Sequence, residues 1–166
     1  MSDIAHLDPS ERDEHFLRHS FDVGRRARSN GNHPFGAVLV DRAGHVLIEA
    51  ENSFMPDRDG TAHAERLAST RACTTLSPAV LNTATLYSSA EPCAMCAGAI
   101  YWAGIGRLVY GLSEHRLRDI TGNHPENLTL DLPCREVFAS GQRSIEVVGP
   151  LLEDEAAALH DGVWTK

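Results

Sequence analysis

Apolar residues first recur at helical spacing. Phe16, Leu17, Phe21, Gly24 and Ala27 share one face, and Ser10 followed by Asp13 resembles a capping box ahead of them. Ser29-Asn-Gly-Asn32 ends that helix. Residues 35–40 form a continuous apolar run, Asp41-Arg-Ala-Gly44 a turn, and residues 45–50 a second run, which together predict a hairpin. A polar loop over 52–60 leads to Thr61, a plausible N-cap for a helix reaching about Leu76, and Ser77-Pro78 breaks it. A third strand follows at 84–88. From Cys93 to Ala103 the chain is apolar almost all round, the mark of a buried helix, with Gly104 beyond its end. A fourth strand is expected at 107–111. Periodicity is lost over 113–133, amid Gly122, Asn123, Pro125 and Asn127, and a loop this long is usually functional or mobile. A short helix ending at Gly141, a fifth strand at 144–148 and a helix from Glu153 to about His160 complete the pattern. A hairpin followed by strands alternating with helices predicts an α/β fold, with a mixed sheet whose later strands are parallel and covered on both faces.

The 166 residues fit one domain, 1–166, with no repeats, low-complexity segments or linkers. No apolar run is as long as a membrane span, and the start, with Asp3 and Asp8, has no signal pattern, so a cytoplasmic protein without a membrane partner is expected. Fifteen basic against 23 acidic residues leave a net charge of −8, which disfavours a nucleic-acid partner. The densest basic cluster, Arg25, Arg26 and Arg28, reads as a solvated helix face.

Four irregularly spaced cysteines do not form a disulfide framework, but Cys93-Ala-Met-Cys96 reads as metal or redox chemistry. Cysteines three apart in a first helical turn face the same way, and the helix dipole favours their thiolates. Thr61-Ala-His63-Ala-Glu65 supplies a histidine at another helix start with a carboxylate two residues on. His63, Cys93 and Cys96 would leave a tetrahedral zinc one open position, which separates a catalytic zinc from a structural one. Glu65 is then the proton carrier. Residues i and i+2 lie on nearly opposite sides of a helix, so His63 and Glu65 converge only if the helix is just beginning. Two plainer readings stand beside this one: a redox pair at Cys93 and Cys96, and a structural zinc module in which Glu65 merely complements a helix dipole.

His63-Ala-Glu65 followed by Pro92-Cys93-Ala-Met-Cys96 resembles the signature of the zinc nucleobase deaminases of the cytidine-deaminase superfamily. Pro34-Phe-Gly-Ala-Val-Leu-Val40 looks like the family's first strand, and Ser88-Ser-Ala-Glu-Pro-Cys-Ala-Met-Cys-Ala-Gly-Ala-Ile100 is similar almost throughout to its second metal motif. The resemblance, good over 35–111, implies a three-layer α/β/α fold with a five-stranded mixed sheet, one zinc per chain and a homodimer. It also implies hydrolytic deamination: activated water attacks the amino-bearing ring carbon, Glu65 shuttles protons and ammonia leaves. Asn52 and backbone groups near Ala64 and Ser89 are implied to hold the base, with Phe35 and Trp102 on its faces.

Two branches compete for the substrate. Ala97-Gly-Ala-Ile100 and Ile105-Gly-Arg-Leu-Val109 are similar to tRNA adenosine deaminases. Those enzymes end in a basic helix, whereas from Val147 onward this chain has only Lys166 against Glu153, Asp154, Glu155 and Asp161. Pro34-Phe35-Gly36 and Ile100-Tyr-Trp102 look like guanine deaminases. Their acidic pair after a Gly-Phe is missing from Gly111-Leu-Ser-Glu114-His-Arg-Leu-Arg-Asp119, where Glu114 or Asp119 is a candidate substitute. The preferred expectation is a free aminated nucleobase or nucleoside (guanine, cytosine or triazine-like), with tRNA adenosine as the alternative. His124 and the C-terminal aromatic Trp164 are further candidates to reach a substrate. Cys73 and Cys134 read as ordinary buried or semi-buried thiols.

Overall fold

The structure, a computed structural model, describes residues 4–165. Met1, Asp3 and Lys166, on which the readings of the start and tail partly rest, lie outside the described residues. A 3₁₀ turn at Ile4–His6 precedes helix α1, Pro9–Ser29. The capping box is Asp8 and Glu11, two residues ahead of the expected pair: Asp8 accepts from the Ser10 and Glu11 amides, and Glu11 accepts from the Asp8 amide. Pro9 at the first helical position needs no N–H partner, which lets the helix start there. Asp13 is instead buried, accepting from Tyr87 Oη at 2.9 Å and from both terminal nitrogens of Arg107 at 2.7 Å.

Strands β1 (Gly36–Val40) and β2 (Val46–Glu51) form the expected hairpin. Helix α2 (Ala64–Thr75) follows, then one turn, α3 (Pro78–Leu81), capped by Ser77 exactly where the sequence only broke. Strand β3 (Thr85–Ala90), helix α4 (Ala94–Ala103) and strand β4 (Arg107–Leu112) come next, and Gly104 closes α4 at φ 87°. The stretch expected to be irregular contains a helix, α5 (Glu114–Thr121), capped by Ser113. Its buried positions are Glu114, Leu117 and Thr121, so one apolar residue is all the pattern had to show. Helix α6 (Cys134–Ala139), strand β5 (Glu146–Val148) and helix α7 (Glu153–Ala158) complete the element order.

The sheet order is β2-β1-β3-β4-β5, with β1 antiparallel to both neighbours and β3, β4 and β5 parallel. All five β1 residues are buried, as a continuous apolar run in a central strand requires. One core lies under α2, α4 and α6; the other lies under α1 and α7 on the opposite face. This is a three-layer α/β/α sandwich. On the first face α2 presents Ala64, Ala68 and Ala72, a row of small side chains that lets it lie close to Ala97 of α4.

Gly36 brings β1 hard against α1. A Cβ there would lie 2.4 Å from the Ser20 carbonyl oxygen and 2.5 Å from the Gly24 nitrogen, both backbone atoms that cannot turn aside. Gly36→Ala should therefore lower the free energy of unfolding by about 3 kcal/mol, the upper end of overpacking costs, read from urea denaturation at constant m-value.

Candidate active site

His63 and Cys93 each occupy the residue just before a helix, with extended φ and ψ and no side-chain cap bond. Their side chains project toward one another instead. Both Cys93 Sγ and Cys96 Sγ lie 3.6 Å from His63 Nδ1, and the three donor atoms all fall within 4.8 Å. Ligands about 2.0–2.3 Å from a tetrahedral zinc sit roughly 3.5–3.8 Å apart, so the donor set fits that ion. A hydrogen bond from the Cys96 thiol pulls Cys93 down to about 4, and the same hydrogen bond, with burial, pushes Cys96 up. Cys93 raises His63 against the effect of burial. One thiol that ionises so readily, beside a second thiol and an imidazole, is donor chemistry for a soft cation. All four cysteines are free, and Cys73 is exposed rather than semi-buried.

Because α2 begins at Ala64, Glu65 lies in its first turn and comes round to the same side as His63. Glu65 is 5% exposed, and the Ser88 hydroxyl, 2.6 Å from the Ala90 carbonyl oxygen, also lies 3.1 Å from its Oε1, so its one proton is shared between them. Burial pushes its carboxyl up, opposed by His63. The sequence reading passed over Ser88. Its signal was available, since a hydroxyl inside a strand as buried as β3 must find a partner.

These groups open into a cavity of about 320 Å³. Asn52 and Phe35 line it, as expected. Asn52 is also a turn residue: its Oδ1 accepts from the Phe54 amide at 3.1 Å. Ala64 is fully buried at the first position of α2, outside the lining. Ser89 lies outside the lining too, its hydroxyl accepting from the Gly36 amide to join β3 to β1. Trp102 stands away from the cavity, 85% exposed on the outer face of α4 and edge-on to Tyr101. Its i+4 relation to Gly98 turns it outward while Ile100 and Ala103 point to the core. Of the two candidate acids, Asp119 is exposed and Glu114 lines the cavity. Burial, then the nearby Cys93, Glu91 and Glu65, push Glu114 up to about 8.

Part of the outer wall comes from a surface loop. Glu126, Leu128 and Leu130 of the 122–133 loop line the cavity although both leucines are largely exposed. Trp164 lies outside the lining, stacked behind the cavity's His33 at 5.0 Å and on His160 at 6.0 Å. His33 joins loop and tail by pairing with Glu126 at 2.9 Å. His124 sits edge-on to Trp164, outside the lining.

Residues 10–112 match the family described as the cytidine and deoxycytidylate deaminase zinc-binding region. A probable cytosine deaminase of Schizosaccharomyces pombe is 43% identical over 157 residues, 93% of this chain and 94% of that protein. A tRNA-specific adenosine deaminase of Bacillus subtilis is 36% identical, covering 89% of this chain and 85% of the relative. Among solved structures, a guanine deaminase from Nitrosomonas europaea superposes with a TM-score of 0.71 at 27% identity, over 92% of this chain and 82% of that one.

Trp164 Nε1 donates to His160 Nδ1 at 3.0 Å, which requires that nitrogen to be unprotonated. Burial, with Arg28 and His33 nearby, pushes His160 down to about 4. In the unfolded chain it titrates near pH 6.5, so unfolding takes up a proton between these values and stability rises with pH there. His160 should thus contribute about 3 kcal/mol above pH 6.5 that disappears as the pH falls toward 4. The urea midpoint and the Trp164 fluorescence of a Trp102→Phe background should shift together over that window, and His160→Gln should flatten both.

Proposed function

Since the chain belongs to the cytidine and deoxycytidylate deaminase family, we propose that it removes the amino group of a free aminated nucleobase or small nucleoside. Membership makes it a hydrolytic C–N deaminase of the nucleobase or nucleoside type. Guanine-, cytosine- or triazine-like bases are the substrates proposed, and water is the co-substrate. The wall's charge carries this reading. Asp59, Glu65, Glu91, Glu114 and Glu126 line the cavity, and no arginine or lysine does among the described residues. Such a wall repels a phosphodiester backbone. The volume, at the lower end of ligand pockets, suits one small ring system.

His63, Cys93 and Cys96 would hold one zinc per chain. When bound, zinc supplies Lewis-acid activation of water, lowering its pKa from about 16 to about 7. Glu65 does the proton work: with Oε1 engaged by Ser88, its other oxygen takes the proton from the attacking water and returns it to the departing nitrogen. Phe35 offers an aromatic face to the ring, and Asn52, whose Oδ1 is engaged by Phe54, has its amide nitrogen left to donate to the base. Residues 1–166 act as one deaminase domain. A reducing, cytoplasmic setting suits four free thiols, and no helix among the described residues is long and apolar enough to cross a membrane.

The homodimer belongs to the same reading. The outer face of α4 carries Ala94, Met95, Gly98, Ala99 and Trp102 without a charge. Gly98, where a Cβ would meet nothing within 4 Å, leaves this face open for a second copy to pack on, with Trp102 as its projecting anchor. Met95 also lines the cavity, so the two sites adjoin.

Purified enzyme should release ammonia from one or more members of a panel holding cytosine, guanine, adenine and aminated triazines. Glu65→Ala should cut the rate by at least ~10²–10⁴-fold, the usual worth of general acid–base catalysis, while metal analysis still finds zinc. Ammonia only from tRNA, with every free base inert, would instead establish the adenosine-editing alternative. Trp102→Asp should halve the mass measured by light scattering without changing zinc content.

A further inference from the structure

One carboxylate holds two helix starts at once. Glu91 directly follows β3, its amide donating to the Leu112 carbonyl oxygen at 2.7 Å, and it is 6% exposed. One of its oxygens accepts the Glu114 amide and the other the Cys134 amide, both at 2.9 Å. Those amides belong to the first residues of α5 and α6. Amides at the start of a helix have no partner within it. Ser113 caps α5 by accepting from the Arg116 amide, and Pro133 gives α6 no side-chain cap, so Glu91 supplies an acceptor that both helices lack. Between the two amides the chain makes one excursion, 114–134, which brings Leu117 and residues 126–130 to the cavity lining. Inside it Asp131 pairs with Arg118 at 2.7 Å and with His115 at 2.8 Å, tying the loop to α5. Glu91 grips both ends of this excursion. Pro92, its φ fixed by the ring, then leads straight from Glu91 to Cys93.

We propose that Glu91 is a positioning residue, a clasp that keeps the 114–134 excursion in register with Cys93 and so sets where the cavity's outer wall stands relative to the metal donors. It acts through the chain it holds and makes or breaks no bond in the reaction. The role needs a carboxylate. Both partners are N–H donors, so an amide side chain could satisfy one of them and would turn its own NH2 toward the other. Charge-assisted bonds to backbone amides are the strong ones, and here two of them close a length of chain rather than cap a single helix. A wall that drifts loosens its hold on the substrate before it alters the chemistry at Glu65, so the cost falls on KM. Only the kinetic part of the test rests on the free-base reading above.

Amide hydrogen exchange and steady-state kinetics on the zinc-loaded full chain test this together. In wild type the Glu114 and Cys134 amides should exchange slowly. Glu91→Gln should speed exchange at one or both of them and across 122–133. It should also raise KM for the best substrate of the ammonia panel by about 10- to 100-fold and change kcat by less than about 3-fold, with zinc content unchanged. Glu91→Asp, which keeps two acceptors on a shorter stem, should recover part of the KM and serves if the glutamine variant does not fold. Ser113→Ala is the control: it removes the ordinary cap of α5, so it should lower the urea midpoint while KM stays within about 2-fold of wild type. Unchanged exchange in Glu91→Gln, a loss that falls on kcat, a loss of zinc, or a KM rise that Ser113→Ala matches overturns the proposal. Exchange does not depend on which base reacts, so a wild type inert toward every free base overturns the free-base reading, and exchange alone then decides for or against the clasp.

Discussion

Everything chemical in this chain depends on where two helices begin. Had α2 started a residue earlier, His63 would lie inside it and Glu65 on the far side. Had α4 done so, Cys93 would no longer face His63. Both starts are placed by what precedes them, a short polar loop before α2 and Glu91-Pro92 before α4. Their mutual distance is set by the packing of α2 on α4, where Ala64, Ala68 and Ala72 keep the interface thin. The donor geometry therefore rests on three methyl groups as much as on the donors themselves. A helix beginning carries unpaired N–H groups and positive potential, so thiols and a carboxylate placed there meet a favourable field before any ion arrives.

Much of this was legible in the sequence because it is written in local patterns. Five strands, the hairpin, the buried helix closed by Gly104, and His63, Cys93, Cys96 and Glu65 as one group all follow from spacing and residue type. The misreadings have physical causes. Pro9 allowed α1 to start two residues ahead of its expected box. Helix α5 turns two polar residues, Glu114 and Thr121, inward, so a pattern that equates inward with apolar passes over it. Thr61 looked like a cap but spends its hydroxyl on Asp59.

The substrate contacts were harder to foresee, because they depend on tertiary placement rather than motif. Ser89 and Trp102 stand close in sequence to the metal residues, but strand alternation sends the Ser89 hydroxyl to β1 and helix rotation sends Trp102 to the surface. The loop leucines Leu128 and Leu130 reach the cavity from positions with no recognisable signature. The inner half of the cavity is thus built from regular elements, and the outer half draws on a loop that the tail backs through His33.

That division has a consequence for how such a protein diversifies. His33 touches both outer segments, pairing with Glu126 in the loop and stacking on Trp164 in the tail. Neither can be lengthened, shortened or recoloured without disturbing the histidine that the other leans on. Natural relatives should accordingly exchange loop and tail as a matched set, with correlated insertions at two sites far apart in the chain, while the metal-binding half stays still.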